Sequence, residues 1–171
     1  MITAPKLQGE KNQILESVKS HLTSLGFNVV ATDFSRPWGG FLVIDETQAE
    51  KFGAHYFPGI EVNSLRITGK LSPKILMVEP GKKLSWQYHN RRSEIWKLVT
   101  GEAGVVRSNT DELGPVHELK INEIVRLAQG ERHRLVGLKA WGMISEIWQH
   151  TNAAHPSDED DIIRVQDDFG R

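Results

Sequence analysis

The chain of 171 residues contains no cysteine, which removes disulfides, thiolate-held zinc, iron–sulfur clusters and thiol nucleophiles together. Any metal must therefore sit on histidine, carboxylate or amide ligands. No run approaches the roughly 18 consecutive apolar residues of a membrane-spanning helix. The opening stretch from Met1 to Gln13 also lacks an apolar run of signal-peptide length, and the sequence reads as a soluble cytoplasmic protein. An excess of one charge is missing too. With 21 lysines and arginines against 22 acids the net charge is −1, so no strong field gathers nucleic acid or an anionic membrane, and neither is expected as a partner.

What is present is an ordinary globular composition, 39% hydrophobic and 25% charged, at a length that suits one domain and buries on the order of 70% of the unfolded chain's surface. Between Gln8 and Gly26 the apolar residues Ile14, Leu15, Val18, Leu22 and Leu25 recur at helical spacing. One amphipathic helix is predicted there, ending at the glycine. From Phe41 onward the apolar runs are short, β-branched or aromatic, and punctuated by turn residues. Strands are predicted at 41–44, 73–79, 84–89, 94–99, 103–107, 116–119, 124–127, 133–138 and 143–148, a pattern of sandwich or barrel type. The stretch 49–68 reads as irregular loop with room for a short helix. The tail from Asp158 to Arg171 begins acidic and then offers Ile162, Ile163, Val165 and Phe169, read as a short closing helix that docks on the barrel, with the acids at its solvated start.

Chemistry concentrates between Gly81 and Gly101, in GKKLSWQYHNRRSEIWKLVTG. Side chains two apart on a strand share a face, so Gln87 and His89 point one way and Leu84, Trp86 and Tyr88 the other. A short connection from Asn90 to Ser93 would return the next strand antiparallel and set Glu94 beside them. Farther on, His133 opens a strand that could pair near the first. Gln87, His89, Glu94 and His133 then form an oxygen and nitrogen site for a borderline divalent ion such as zinc, nickel, cobalt, iron or manganese. Arg92, two before Glu94, would send its guanidinium into the same cavity, where a fixed fork suits a phosphate or a developing enediolate. His21, His55, His117, His150 and His155 lack such partners and read as surface or supporting residues.

These segments resemble the two metal-binding motifs of the cupin superfamily, with Gln87 where most cupins place a histidine. The likeness narrows to the cupin of type II phosphomannose isomerases (mannose-6-phosphate isomerases). Arg36-Pro37-Trp38-Gly39 resembles its opening; Pro80-Gly81, Leu84-Ser85, Gln87, His89, Arg92, Glu94 and Trp96 its central motif; His133-Arg134-Leu135 its second motif. Glu159-Asp160-Asp161-Ile162, Arg164 and Phe169-Gly170-Arg171 resemble its tail. The chain departs from the pattern at Asn90, Arg91, Ile95, Ala128 and Gly137, none of them a ligand position, and these 171 residues are not expected to hold the nucleotidyltransferase domain to which this module is often fused.

The resemblance implies an all-β fold, the cupin double-stranded β-helix or jelly-roll barrel, standing alone, with a helical extension over 1–35, the barrel over 36–171 and a short C-terminal helix. It implies a metal-dependent isomerase of a phosphosugar, mannose 6-phosphate to fructose 6-phosphate, holding a divalent ion, zinc first, on Gln87, His89, Glu94 and His133. Arg92 and Arg134 become its catalytic candidates, although alternation from His133 turns Arg134 to the opposite face. A small phosphosugar is the expected ligand, and a homodimer the expected assembly. A non-catalytic sugar-binding cupin, an isomerase of another sugar and a metal oxygenase remain the alternatives, since one fold hosts many functions.

Overall fold

The computed structural model describes residues 3–67 and 69–171; Met1, Ile2 and Thr68, which fall within the expected helical extension and the expected loop, lie outside the described residues. The amphipathic stretch forms helix α1, Lys11–Ser24, with Ile14, Val18 and Leu22 buried at a spacing of four. The Glu10 backbone N–H donates to Gln13 Oε1 at 2.9 Å at its start, and Gly26 takes φ +77° just past its end, the left-handed conformation that glycine adopts without a Cβ penalty.

Strands β1, Val29–Asp33, and β2, Gly39–Ile44, pair antiparallel. Helix α2, Ala49–Tyr56, follows inside the stretch read as irregular. Strand β3 is Lys74–Val78, β4 Trp86–Tyr88, β5 Arg92–Ser108, β6 His117–Glu118, β7 Ile124–Leu127, β8 Arg132–His150 and β9 Ile163–Gln166. The order β1-β2-β3-β8-β4-β9, with β5 pairing β6, β7 and β8, is a curled, unclosed jelly roll.

Strand β1 is mostly exposed and carries no alternating apolar signal; pairing to β2 makes it a strand. The segments expected as separate strands at 94–99 and 103–107 are one strand of 17 residues. Those at 133–138 and 143–148 are likewise one of 19. Each pair was split by a glycine that proves to be a bend inside a continuous ladder, with register shifts between Leu98 and Thr100 and between Gly101 and Ala103. At Gly101, φ is +79° and a Cβ would lie 1.9 Å from the Trp141 carbonyl oxygen; only glycine lets the two strands approach there.

The closing helix is not formed. The tail instead lays β9 along β4, with Gln87 opposite Arg164 and Tyr88 opposite Ile163. The free edge of β4 supplies backbone partners, and β-branched Ile163 and Val165 suit a strand. Nor is the acidic run a solvated helix start, because Asp161 is buried and accepts the backbone N–H of Asn90 and of Arg91, each at 3.0 Å. Ile163 and Val165 stay exposed, while Phe169 packs against the core.

Two apolar clusters hold this together. In the first, Ile14, Val18 and Leu22 of α1 and Phe52 of α2 meet Ile75, Met77 and Ile147 of the sheet. The second lies within the roll, where Leu76, Trp96, Leu98, Leu127, Leu135 and Ile144 pack together. No helix among the described residues is long and apolar enough to cross a membrane.

Candidate metal centre

Strand β4 places Gln87 directly opposite His133 of β8. Strand β5 does not return beside β4 as a hairpin; it pairs with β7 and β8. After the connection at Asn90–Arg91 the chain leaves the edge of β4, and Glu94 meets the two histidines from β5. His89, Glu94 and His133 each offer a ligand atom within 4.8 Å of the others, and all three are at most 3% exposed.

The protons show what the cluster is built to accept. The Nδ1 of His89 donates to the Asp161 carbonyl at 2.6 Å and the Nδ1 of His133 to the Glu131 carbonyl at 3.0 Å. A ring that donates through Nδ1 in its neutral form presents a bare lone pair at Nε2. His89 Nε2 lies 3.1 Å from Glu94 Oε1, and His133 Nε2 lies 3.3 Å from Glu94 Oε2. Acceptor therefore faces acceptor, and both Glu94 Oε2 and His133 Nε2 are buried without a hydrogen-bond partner. Leaving such atoms orphaned costs roughly 1–3 kcal/mol each, and a cation between them removes that cost. Carbonyl-anchored imidazoles are also the usual support of metal-binding histidines. The donor set fits a divalent ion.

Gln87 is 8% exposed; its Oε1 accepts from Ser85 Oγ at 2.6 Å and its Nε2 is 3.5 Å from His89 Nε2. Its amide borders the cluster with the nitrogen inward, and a 180° turn of the amide exchanges oxygen for nitrogen there.

Arg92 shares the face of Glu94, as strand alternation predicts, but its guanidinium is already engaged. Nε donates to Glu94 Oε1 at 2.9 Å, one terminal nitrogen to His89 Nε2 at 3.2 Å and the other to Ser157 Oγ at 2.9 Å. Trp148 lies beneath it, 3.6 Å from ring centroid to the guanidinium carbon. Burial alone raises the Glu94 carboxyl, yet His89, Arg92 and His133 around it outweigh burial and hold it well below the usual carboxylate range. Burial lowers His89, and Arg92 and His133 add to that against the opposing pull of Glu94. Arg134 is not brought to the cluster. It is buried on the other face of β8, where it donates to the Gln166 carbonyl at 3.3 Å and stands 3.8 Å from Asp168, tying down the tail.

Beside the cluster opens a pocket walled by Trp38, Trp148, Gln87, Arg92, Glu94 and Glu146, with Lys74, Arg36, Arg164 and Arg171 also on its lining. Lys74 and Glu146 were absent from the sequence reading. Lys74 is buried over the Trp148 ring and paired with Glu159. Burial, and then the like charges of Arg171 and Arg36, lower the Arg164 guanidinium against the pull of Asp167, the mark of cations crowded together. Glu146 had a signal that went unused: the one acid in the mainly apolar strand run from Met143 to Trp148.

Comparison with known proteins follows the same lines. Residues 48–167 match the family model described as mannose-6-phosphate isomerase C-terminal. The chain is 30% identical over 136 residues to the xanthan biosynthesis protein XanB of Xanthomonas campestris pv. campestris, covering 80% of this chain and 23% of that protein. It is 29% identical over 160 residues to a mannose-1-phosphate guanylyltransferase of Salmonella montevideo, covering 93% and 27%. The chain thus spans about a quarter of the length of these relatives. Among solved structures, the capsular polysaccharide assembling protein CapF of Staphylococcus aureus superposes with a TM-score of 0.52 at 14% identity, over 96% of this chain and 40% of that one. A complex of CapF with 3-isopropenyl-tropolone gives 0.54 at 14% identity, over 96% and 43%. At that identity the likeness is one of fold.

Proposed function

Because the chain belongs to the mannose-6-phosphate isomerase C-terminal family of cupins, we propose that it is a metal-dependent aldose–ketose isomerase, interconverting mannose 6-phosphate and fructose 6-phosphate. The observation that carries this reading is the buried trio of His89, Glu94 and His133, in which Glu94 Oε2 and His133 Nε2 face each other without a hydrogen-bond partner. Zinc is the proposed ion, with nickel, cobalt, iron and manganese suited to the same donors. When bound, such an ion polarises the sugar carbonyl and steadies negative charge on its oxygen.

The chain's own residues do the rest. Arg36, Arg164 and Arg171 stand together on the pocket lining and suit a phosphate dianion, which takes up the mutual repulsion of the three guanidiniums. Trp38 and Trp148 give the pocket apolar walls that keep water from the carbon centres. Arg92 acts from within the cluster: with His89 Nε2 engaged as a ligand, the guanidinium nitrogen that now meets it would be available to the substrate. The ligand proposed is a small phosphosugar, with neither nucleic acid nor membrane as partner, and the assembly proposed is a homodimer, to be read by sedimentation equilibrium.

Arg92 also favours a second reading. Its guanidinium already neutralises Glu94, as expected of a cupin that binds a sugar phosphate without turning it over. Metal analysis of the purified protein, followed by mannose 6-phosphate turnover with a coupled fructose 6-phosphate readout, separates the two. Bound metal with turnover is the expected result; sugar phosphate binding with neither metal nor turnover overturns the isomerase.

A further inference from the structure

Glu146 is a buried acid that the ligand cluster does not use. It is 4% exposed and lines the same pocket as Glu94. In the β5–β8 ladder Trp148 stands opposite Glu94 and Glu146 opposite Trp96, so two acids and two tryptophans alternate like a checkerboard on one face. Both indoles point at Glu146: Trp96 Nε1 donates to Oε2 at 2.7 Å and Trp148 Nε1 to Oε1 at 2.8 Å.

An indole donates and cannot accept. The two tryptophans therefore fix the plane of the carboxyl but can never take its proton. Each oxygen keeps a free lone pair, and the proton can pass only to what fills the pocket. The charged groups that face Glu146 are Lys74 from β3 and Glu94 and Arg92 from β5. None is hydrogen-bonded to it among the described residues, because Lys74 is tied to Glu159 and Arg92 to Glu94. Burial, and then the charge of Glu94, push the Glu146 carboxyl up to about 7, against Lys74 and Arg92, so both its forms are available near neutral pH, where acid–base catalysis is most effective.

We propose that Glu146 is the acid–base residue of this pocket, carrying the proton between carbons 1 and 2 of the sugar; the proposal rests on the aldose–ketose reading given above. In the forward direction the Glu146 carboxylate takes the proton from carbon 2 of the open-chain aldose. The electron pair of that C–H bond becomes the second bond between carbons 1 and 2, and the carbonyl pair moves onto oxygen 1. The proton on oxygen 2 then passes to oxygen 1 as the carbonyl re-forms at carbon 2, the double-bond pair returns to carbon 1, and Glu146 delivers its proton there. No atom or electron is left over, and no co-reactant is needed.

The test compares wild type with Glu146→Gln and Glu146→Asp, all metal-loaded, on mannose 6-phosphate deuterated at carbon 2. Metal content per chain and binding of an acyclic hexitol 6-phosphate, which has no carbonyl, are followed in parallel. Glu146→Gln is expected to lower kcat by about 10²–10⁴-fold and to erase the limb of the pH profile near neutrality, with metal content and hexitol phosphate binding within about threefold of wild type. Glu146→Asp, a shorter carboxyl, is expected to lose at least about tenfold and keep the limb. A Gln variant with wild-type kcat overturns the proposal; so does one that slows with its pH limb unchanged, or only together with loss of metal or ligand binding. Should the Gln variant fail to fold, an Asp variant of undiminished rate overturns it equally. A wild type that never converts mannose 6-phosphate defeats the isomerase reading and the proton relay with it, whereas a working wild type beside an unaffected Glu146→Gln defeats the relay alone.

Discussion

On one face of β3, β5 and β8, Ile75, Met77, Ile95, Met143 and Ile147 pack in the cluster that α1 and α2 join, while Lys74, Arg92, Glu94, Glu146 and Trp148 line the pocket on the other. The same three strands thus carry a mainly apolar surface, with Lys97 and Ser145 its buried polar members, and a crowded ionic one, alternating residue by residue. Removing a carboxylate or ammonium group from water costs several kcal/mol even after relaxation, and the polar face recovers this by pairing: Arg92 with Glu94, Lys74 with Glu159, Glu146 with two indoles. What is left unpaired, Glu94 Oε2 and His133 Nε2, marks where an incoming ligand is needed. The apolar face has little to satisfy, Ser145 Oγ donating to the Lys97 carbonyl and Ser93 Oγ to Gln149 Oε1, and contributes mainly burial. One face supplies stability, and the other is tolerable only because of it.

The largest expected effect tests the ionic face. Arg92→Ala leaves Glu94 buried without its guanidinium, and denaturant unfolding of the metal-free protein should show a loss of about 3–5 kcal/mol. Among the described residues the side chain of Arg91, its neighbour, is paired with Asp158 and Asp161 at 3.4 and 3.9 Å, so Arg91→Ala should cost about 1 kcal/mol or less. Equal losses in the two variants would erase the distinction. The apolar face is tested by Ile147→Ala, whose side chain is fully buried; a loss of about 2–5 kcal/mol is expected, with metal stoichiometry of the folded fraction unchanged.

Next comes pH. Glu146 sits at about 7 instead of 4.5, so the folded chain keeps a proton that the unfolded chain has lost across this window. Its contribution is complete below 4.5 and disappears as pH rises through 7, a change of about 3 kcal/mol for a shift of that size. Glu146→Gln should flatten this part of the stability–pH curve, and an unaltered slope would show that Glu146 is not its source. Smallest in free energy is the metal centre's own test: His133→Ala should keep the fold and lose at least about tenfold in metal affinity by equilibrium dialysis. Unchanged affinity would remove His133 from the ligand set.

The sequence was most legible where local periodicity and burial agree. Helix α1 shows its stripe at Ile14, Val18 and Leu22, and β7 its alternation, because one apolar partner surface explains each. The spacing of Gln87, His89 and Glu94 and the position of His133 named the groups that the fold gathers. It was misleading in the tail, where Ile162, Ile163 and Val165 suit a helix or a strand equally by local pattern; the free edge of β4 decided. Glycines misled in the opposite way, reading as turns at Gly101 and Gly142 although β5 and β8 run through them.

By itself, then, the sequence determined which chemistry was open to this protein: no thiol, histidine and carboxylate donors, arginines beside them, and many short strands to carry them. The tertiary structure alone decided which groups meet. That Arg92 holds Glu94 instead of standing free, that Arg134 ties the tail, and that two tryptophans aim their N–H groups at Glu146 are consequences of strand register. Register joins residues far apart along the chain, and periodicity within a segment carries no information about the partner that segment will find.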